Sequence, residues 1–130
     1  CVFAEGTRDA AEFVIQREEI SPQRRTYYID GTLTKATAKV GAIEYAASVS
    51  MIENVNATVN VTVQYFNSVK GKWEYYDDRT YYNSWTDDWS FSDTMTCSYT
   101  GQYRAVAYYM AEKNGYEDVV EDVSNVIYVA

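Results

Sequence analysis

The sequence predicts an all-β domain: an antiparallel two-sheet β-sandwich, immunoglobulin-like, with about seven strands. Three observations predict it. Apolar and polar residues alternate with a period of two through most of residues 27–112, the pattern of strands with one buried face. Fourteen tyrosines and a single proline in 130 residues favour pleated, half-buried strands over helices. Finally, "GQYRAVA" at 101–107 has the glycine, tyrosine and small inward residues with which the sixth strand of an immunoglobulin sandwich begins, although Ala105 stands where that pattern places a cysteine.

Taken in chain order, "CVFAEG" comes first. Val2 and Ala4 occupy the small-residue positions that signal peptidase reads, so residues 1–4 are expected to be a signal-peptide remnant. On that reading Cys97 is the sole cysteine of the mature chain. Two alternatives stay open: Cys1 as a lipid-modified residue, and Cys1 paired with Cys97. Residues 5–20 mix charges around a short apolar run, Phe13 to Ile15, and are read as an N-terminal arm of uncertain order. Pro22 separates this arm from the sandwich domain, placed at 21–130.

Within the domain, "YYIDGTLTKATAKV" is a threonine-rich first strand. "AIEYAASVSMI" sets Ile43, Tyr45, Ala47, Val49 and Met51 on one face, and "ATVNVTVQYF" sets Val59, Val61, Val63 and Tyr65 against Thr58, Asn60, Thr62 and Gln64. "NSVKG" reads as a hairpin loop. It leads into "KWEYYDDRT", with Trp73 and Tyr75 expected on one inward face. "WSFSDTMTCSY", "GQYRAVAYYMAE" and "VSNVIYVA" supply the remaining strands, the last two joined by a turn at "KNGYED". Tyr103 is expected to turn its hydroxyl to nearby backbone, and Ala105 to leave room for Trp73 or Tyr65. The opposite face of this strand, with Val106, Tyr108 and Met110, is unusually apolar, and either the arm's Phe13 and Ile15 or a partner would cover it.

The succession "ISPQRRTYYI", a valine-alternating strand, "GKW" and a late "GQYRAVA" resembles an uncharacterised family of small secreted β-sandwich proteins of Gram-positive bacteria. The resemblance spans Ile20 to Val106 and implies export and a β-sandwich. It brings no activity with it.

Several function classes are disfavoured by composition. A net charge of -8 argues against nucleic-acid and anionic-membrane partners, and no stretch reaches transmembrane length. The chain has no histidine, hence no ordinary general base, triad or histidine-bearing zinc site. Phosphate-cradle and nucleophile-elbow motifs are absent too. Asp77, Asp78, Asp87, Asp88 and Asp93 are numerous enough for carboxylate chemistry or a calcium site, but nothing fixes a working separation or matches a calcium loop. The expectation is no catalytic residue, no metal and no cofactor. Asn56-Ala-Thr58 and Asn60-Val-Thr62 fit the glycosylation sequon and are read as exposed strand residues.

The densest anomaly is "WEYYDDRTYYNSWTDDWSF", residues 73–91, which holds all three tryptophans among aspartates. Flat rings beside amides and carboxylates suit sugar recognition, since ring faces pack on C–H surfaces while polar neighbours bond hydroxyls. Trp85, Trp89, Tyr81, Tyr82, Asn83 and Asp87 are therefore the candidate ligand-binding residues; the alternative is that the later tryptophans are core. The chain is expected to be a monomeric, secreted or cell-surface, non-catalytic module that binds carbohydrate or an extracellular protein. The alternatives are a small carboxylate-dependent glycan-active enzyme and a structural spacer of a cell-envelope assembly.

Overall fold

The computed structural model of the chain describes residues 28–130. The signal remnant, the arm and the fate of Cys1 lie outside the described residues. Among the described residues there are six strands: β1 (Ile29–Lys39), β2 (Ala42–Asn67), β3 (Lys72–Thr96), β4 (Gly101–Lys113), β5 (Tyr116–Val123) and β6 (Ile127–Val129). All pair antiparallel within one sheet. The all-β antiparallel expectation therefore holds, with six described strands where about seven were expected.

The count differs because two expected pairs of strands are each continuous. β2 spans 26 residues and β3 spans 25, and they stay paired almost throughout. Their register breaks between Ser50 and Val55 and again between Val55 and Ala57, opposite Asp88, Thr86 and Asn83. Extra residues on both strands bend the ribbon there without ending it. On its other edge, β2 pairs with β1 before the bend, from Ala42 to Met51, and with β4 after it, from Asn56 to Tyr65. The sheet thus curls until its two halves face each other.

Between them lies the core. Ile43, Tyr45, Ala47 and Val49 of the first half, and Ala57, Val59, Val61 and Val63 of the second, are buried with Tyr103, Ala105, Ala107, Tyr109 and Ala111 of β4. Removing each such valine or isoleucine from water stabilises the fold by about 1.5–3 kcal/mol.

Side chains close the two open edges of the curl. On one edge the halves of β3 reach each other: Arg79 Nη1 donates to Asp93 Oδ2 at 3.0 Å and to the Thr94 carbonyl at 3.1 Å, and the Tyr81 hydroxyl donates to Asp93 at 2.7 Å. Tyr45 and Tyr81 also share a hydroxyl contact. On the other edge β1 meets β5 and the segment after it. Asp118 Oδ2 accepts the N–H groups of Tyr28 and Ile29 at 2.5 and 2.8 Å, Asp122 accepts the Thr34 hydroxyl at 2.9 Å, and the Asn125 amide bonds both the N–H and the carbonyl of Ala36 at 2.9 Å. These groups take the place of a backbone ladder, so the β1 edge is capped against further pairing.

The question posed by Gly101-Gln102-Tyr103 is answered here. The buried Tyr103 hydroxyl donates to the Tyr99 carbonyl at 2.7 Å and accepts the Tyr99 N–H at 3.2 Å, the corner bond expected of it. Gly101, at φ 149°, is pressed on Tyr65, whose ring carbon would lie 3.0 Å from an added Cβ. Tyr65 in turn packs on Tyr103 with ring centroids 5.1 Å apart. Ala105 sits opposite Val63, its N–H held by the Ser124 hydroxyl at 2.8 Å.

One expectation is corrected. Trp73 and Tyr75 do not face inward, because Tyr76 is an extra residue between the pairs Gln64–Tyr75 and Val63–Asp77. The one-residue shift exchanges the faces. Tyr76 turns in, edge-on to Tyr103 at 5.5 Å, while Trp73 packs on the outer face against Phe66 at 5.2 Å.

Candidate functional site

The aromatic and acidic run at 73–91 lies wholly within β3, a strand where its Asn, Ser and Asp content suggests a surface connection. Strand geometry then deals its residues to two faces. Tyr81 lies opposite buried Val59 and Trp89 opposite buried Val49, so both point to the inner side, where each stacks on Phe91, at 4.4 and 5.0 Å. Trp89 is half-buried and packs against the core. Tyr82 pairs with Thr58 on the outer face and is 75% exposed.

Trp85 stands in the register break at φ 57°, a conformation that a bulky residue rarely adopts. It is 57% exposed, with Lys113 Nζ 5.4 Å from its ring centre; Lys113 is also bonded to Glu53. Asn83 is half-buried opposite Ala57, and Asp87 is exposed at the bend. The six expected site residues are therefore not one cluster. Trp85 and Trp89 do not stack together: one ring meets Lys113, the other Phe91.

The register assembles a different constellation on the outer face of the second half. Residues facing each other across antiparallel strands share a face, so Tyr75, Asp78, Thr80 and Tyr82 of β3 lie beside Gln64, Thr62, Asn60 and Thr58 of β2. The next row, on β4, is Arg104, Val106, Tyr108 and Met110. The polar groups are bound to one another. Asp78 Oδ2 accepts from Asn60 Nδ2 at 2.8 Å, its Oδ1 accepts from the Tyr75 hydroxyl, and Asn60 further contacts Thr80 Oγ1 at 3.0 Å and the Thr62 hydroxyl at 2.7 Å. Arg104 Nε donates to Gln64 at 2.7 Å while its guanidinium lies 4.3 Å over the Trp73 ring. Tyr75 remains 61% exposed.

Sequence reasoning named the outer set of β2 but missed its partners on β3. The four-residue hairpin after Asn67 fixes the pair Asn67–Lys72, from which the register can be counted until the extra residue Tyr76 shifts it. That shift is the step periodicity does not reveal.

Protonation follows this geometry. Partial desolvation, then the hydrogen bond to Asp78 and that carboxylate's charge, raise the Tyr75 pKa, keeping the phenol a donor. At the β3 edge the Tyr81 hydroxyl and the Thr94 N–H hold Asp93 below the usual carboxylate range, with Arg79 assisting. Partial burial lowers the Arg104 pKa, while Glu121 opposes it.

A second concavity, a groove of about 470 Å³, crosses the outer face of the first half and is lined by Leu33, Lys35, Ala46, Ser48, Ser90 and Ser92. Among the described residues no group of three or more His, Cys, Asp or Glu side chains is placed to hold a metal ion, and no helix is long and apolar enough to cross a membrane. Cys97 is buried, and desolvation raises its thiol pKa.

No protein-family model and no curated protein matches the sequence. Among solved structures, the chain is similar to the CARDB domain of a Pyrococcus furiosus protein in complex with di-metal ions, at 20% identity and a TM-score of 0.44, over 82% of this chain and 92% of that one. It is also similar to part of a β-glucosidase from Listeria innocua in complex with isofagomine, at 11% identity and a TM-score of 0.41. A mutant β-glucosidase of that organism in complex with laminaribiose gives 11% and 0.40. The match covers 82% of this chain but 17% of each glucosidase chain.

Proposed function

We propose that the chain is an extracellular, immunoglobulin-like β-sandwich module that recognises glycans without catalysing a reaction on them. The observation that carries this reading is the outer surface along β3, where exposed Tyr75 and Tyr82 flank amide and carboxylate groups already hydrogen-bonded in place. Rings of this kind lay a flat apolar surface against a sugar, and fixed polar neighbours orient its hydroxyls. The strained backbone at Trp85 adds to it, since a bulky residue held in the left-handed region costs about 1–3 kcal/mol and persists where the surroundings or function demand it. A non-catalytic role is supported by Asp78 and Asp93, whose oxygens are occupied by Asn60, Tyr75, Arg79 and Tyr81.

Calorimetry against cell-wall and mucin-type glycans tests the proposal. Tyr82→Ala is expected to weaken binding by about 2 kcal/mol, the scale of a hot-spot residue. Trp85→Gly should lower affinity while leaving the melting temperature unchanged or raised, because glycine accepts the positive φ without strain. A panel with no bound glycan, or Trp85→Gly losing stability as a core residue does, contradicts the reading.

A further inference from the structure

We infer that the ligand of this face is an extended, uncharged polysaccharide chain, lying along β3 from Tyr75 to Tyr82 and read over several consecutive sugar units. The inference rests on the glycan reading and names its substrate class. Three features of the surface carry it.

The first is length. Tyr75 pairs with Gln64 and Tyr82 with Thr58, six residues farther along β2, so the two rings stand roughly 20 Å apart at about 3.3 Å per residue. One sugar ring cannot touch both, whereas a straight run of several can. The second is shape. Between the rings the row continues through Asp78 and Thr80, with Thr62 and Asn60 alongside, all on one sheet face at the free edge of β3. Such a strip offers contact in a line, which matches an extended chain and not a compact or branched sugar.

The third feature is charge. The cation of these rows, Arg104, already donates to Gln64 and stacks on Trp73. Asp78 lies mid-strip, Asp77 is its chain neighbour, and the whole chain carries -8. A polymer of uronic acids would meet repulsion without a free cation to offset it. Neutral hydroxyls fare better, because each both donates and accepts, and Asp78, Asn60 and Thr80 keep lone pairs beyond those used among themselves. Fixing these groups before binding lowers the ordering cost of recognition.

The experiment is calorimetry on the chain with cello-oligosaccharides from the disaccharide to the hexasaccharide, an oligogalacturonate of the longest size, and a mucin-type glycan. Affinity is expected to climb with length until the strip is filled and then level off, with no binding of the oligogalacturonate. Tyr75→Thr and Tyr82→Thr, chosen because threonine favours strands, are each expected to weaken the hexasaccharide roughly thirty-fold. Circular dichroism confirms that both variants keep the fold. Binding that does not depend on length overturns the extended ligand while leaving the glycan reading in place. So does binding lost in Trp85→Gly but kept in both threonine variants, or confined to the mucin-type glycan. Failure of every sugar to bind overturns both.

Discussion

Tyr103 shows how much one side chain organises in this fold. Its ring is buried against Tyr65 and Tyr76, and its hydroxyl closes the corner on Tyr99 with two hydrogen bonds. Tyr103→Phe keeps the packing and removes both bonds, so a loss of about 1–2 kcal/mol is expected in denaturant titration; unchanged stability would reduce the corner to packing alone. Burial also pushes the Tyr103 pKa up to about 12, and it raises Tyr45, Tyr81 and Tyr109 as well. A folded-state pKa above the unfolded value gives stability that is fully present below about pH 10, the ordinary tyrosine value. That stability is lost as pH rises from about 10 through the raised folded values. Melting temperature should therefore fall in that window, together with cooperative appearance of tyrosinate absorbance; gradual ionisation of all tyrosines near pH 10 without unfolding would contradict it. Asp93 behaves in the opposite sense. Its folded pKa is lowered, so its contribution is present above about pH 4 and lost as pH falls through the folded value. Asp93→Asn should flatten that part of the acid limb.

Among the elements, legibility followed the chemistry of the inward row. β2 and β4 were readable because their inner positions are valine, alanine and tyrosine at period two. The bends in β2 and β3 were not, since a register break between two paired strands leaves alternation on each side intact and looks like a loop. β5 was hidden for another reason. Its inward residues are Asp118, Val120 and Asp122, and the two carboxylates serve the edge of β1 instead of an apolar core. The turn before it was legible: Asn114 and Gly115 both take positive φ, as a two-residue hairpin requires. Asp118 gives the test at this scale. Asp118→Ala strands the N–H groups of Tyr28 and Ile29 and is expected to cost about 2–3 kcal/mol. Amide exchange at Ile29 should quicken more than at Val61 in the core; equal protection at both sites would mean that β1 needs no such clamp.

The whole molecule is one sheet bent until its halves meet, and the bend determines what faces outward. The inner faces and the two side-chain seams occupy Tyr45, Tyr81, Trp89 and Phe91, so part of the aromatic run at 73–91 belongs to the core and to its edge. Trp89→Ala is accordingly expected to destabilise by about 3 kcal/mol or more. Only the residues that the extra Tyr76 and the register leave outside are free for a ligand, which is why the candidate face differs from the cluster that composition suggests. Mapping amide chemical shifts during titration with a neutral linear hexasaccharide tests the central claim most directly. The account predicts a continuous track of perturbed amides from Tyr75 through Asn60 and Asp78 to Tyr82. Shifts confined to the groove between Leu33 and Ser90, or no shifts at all, would contradict it.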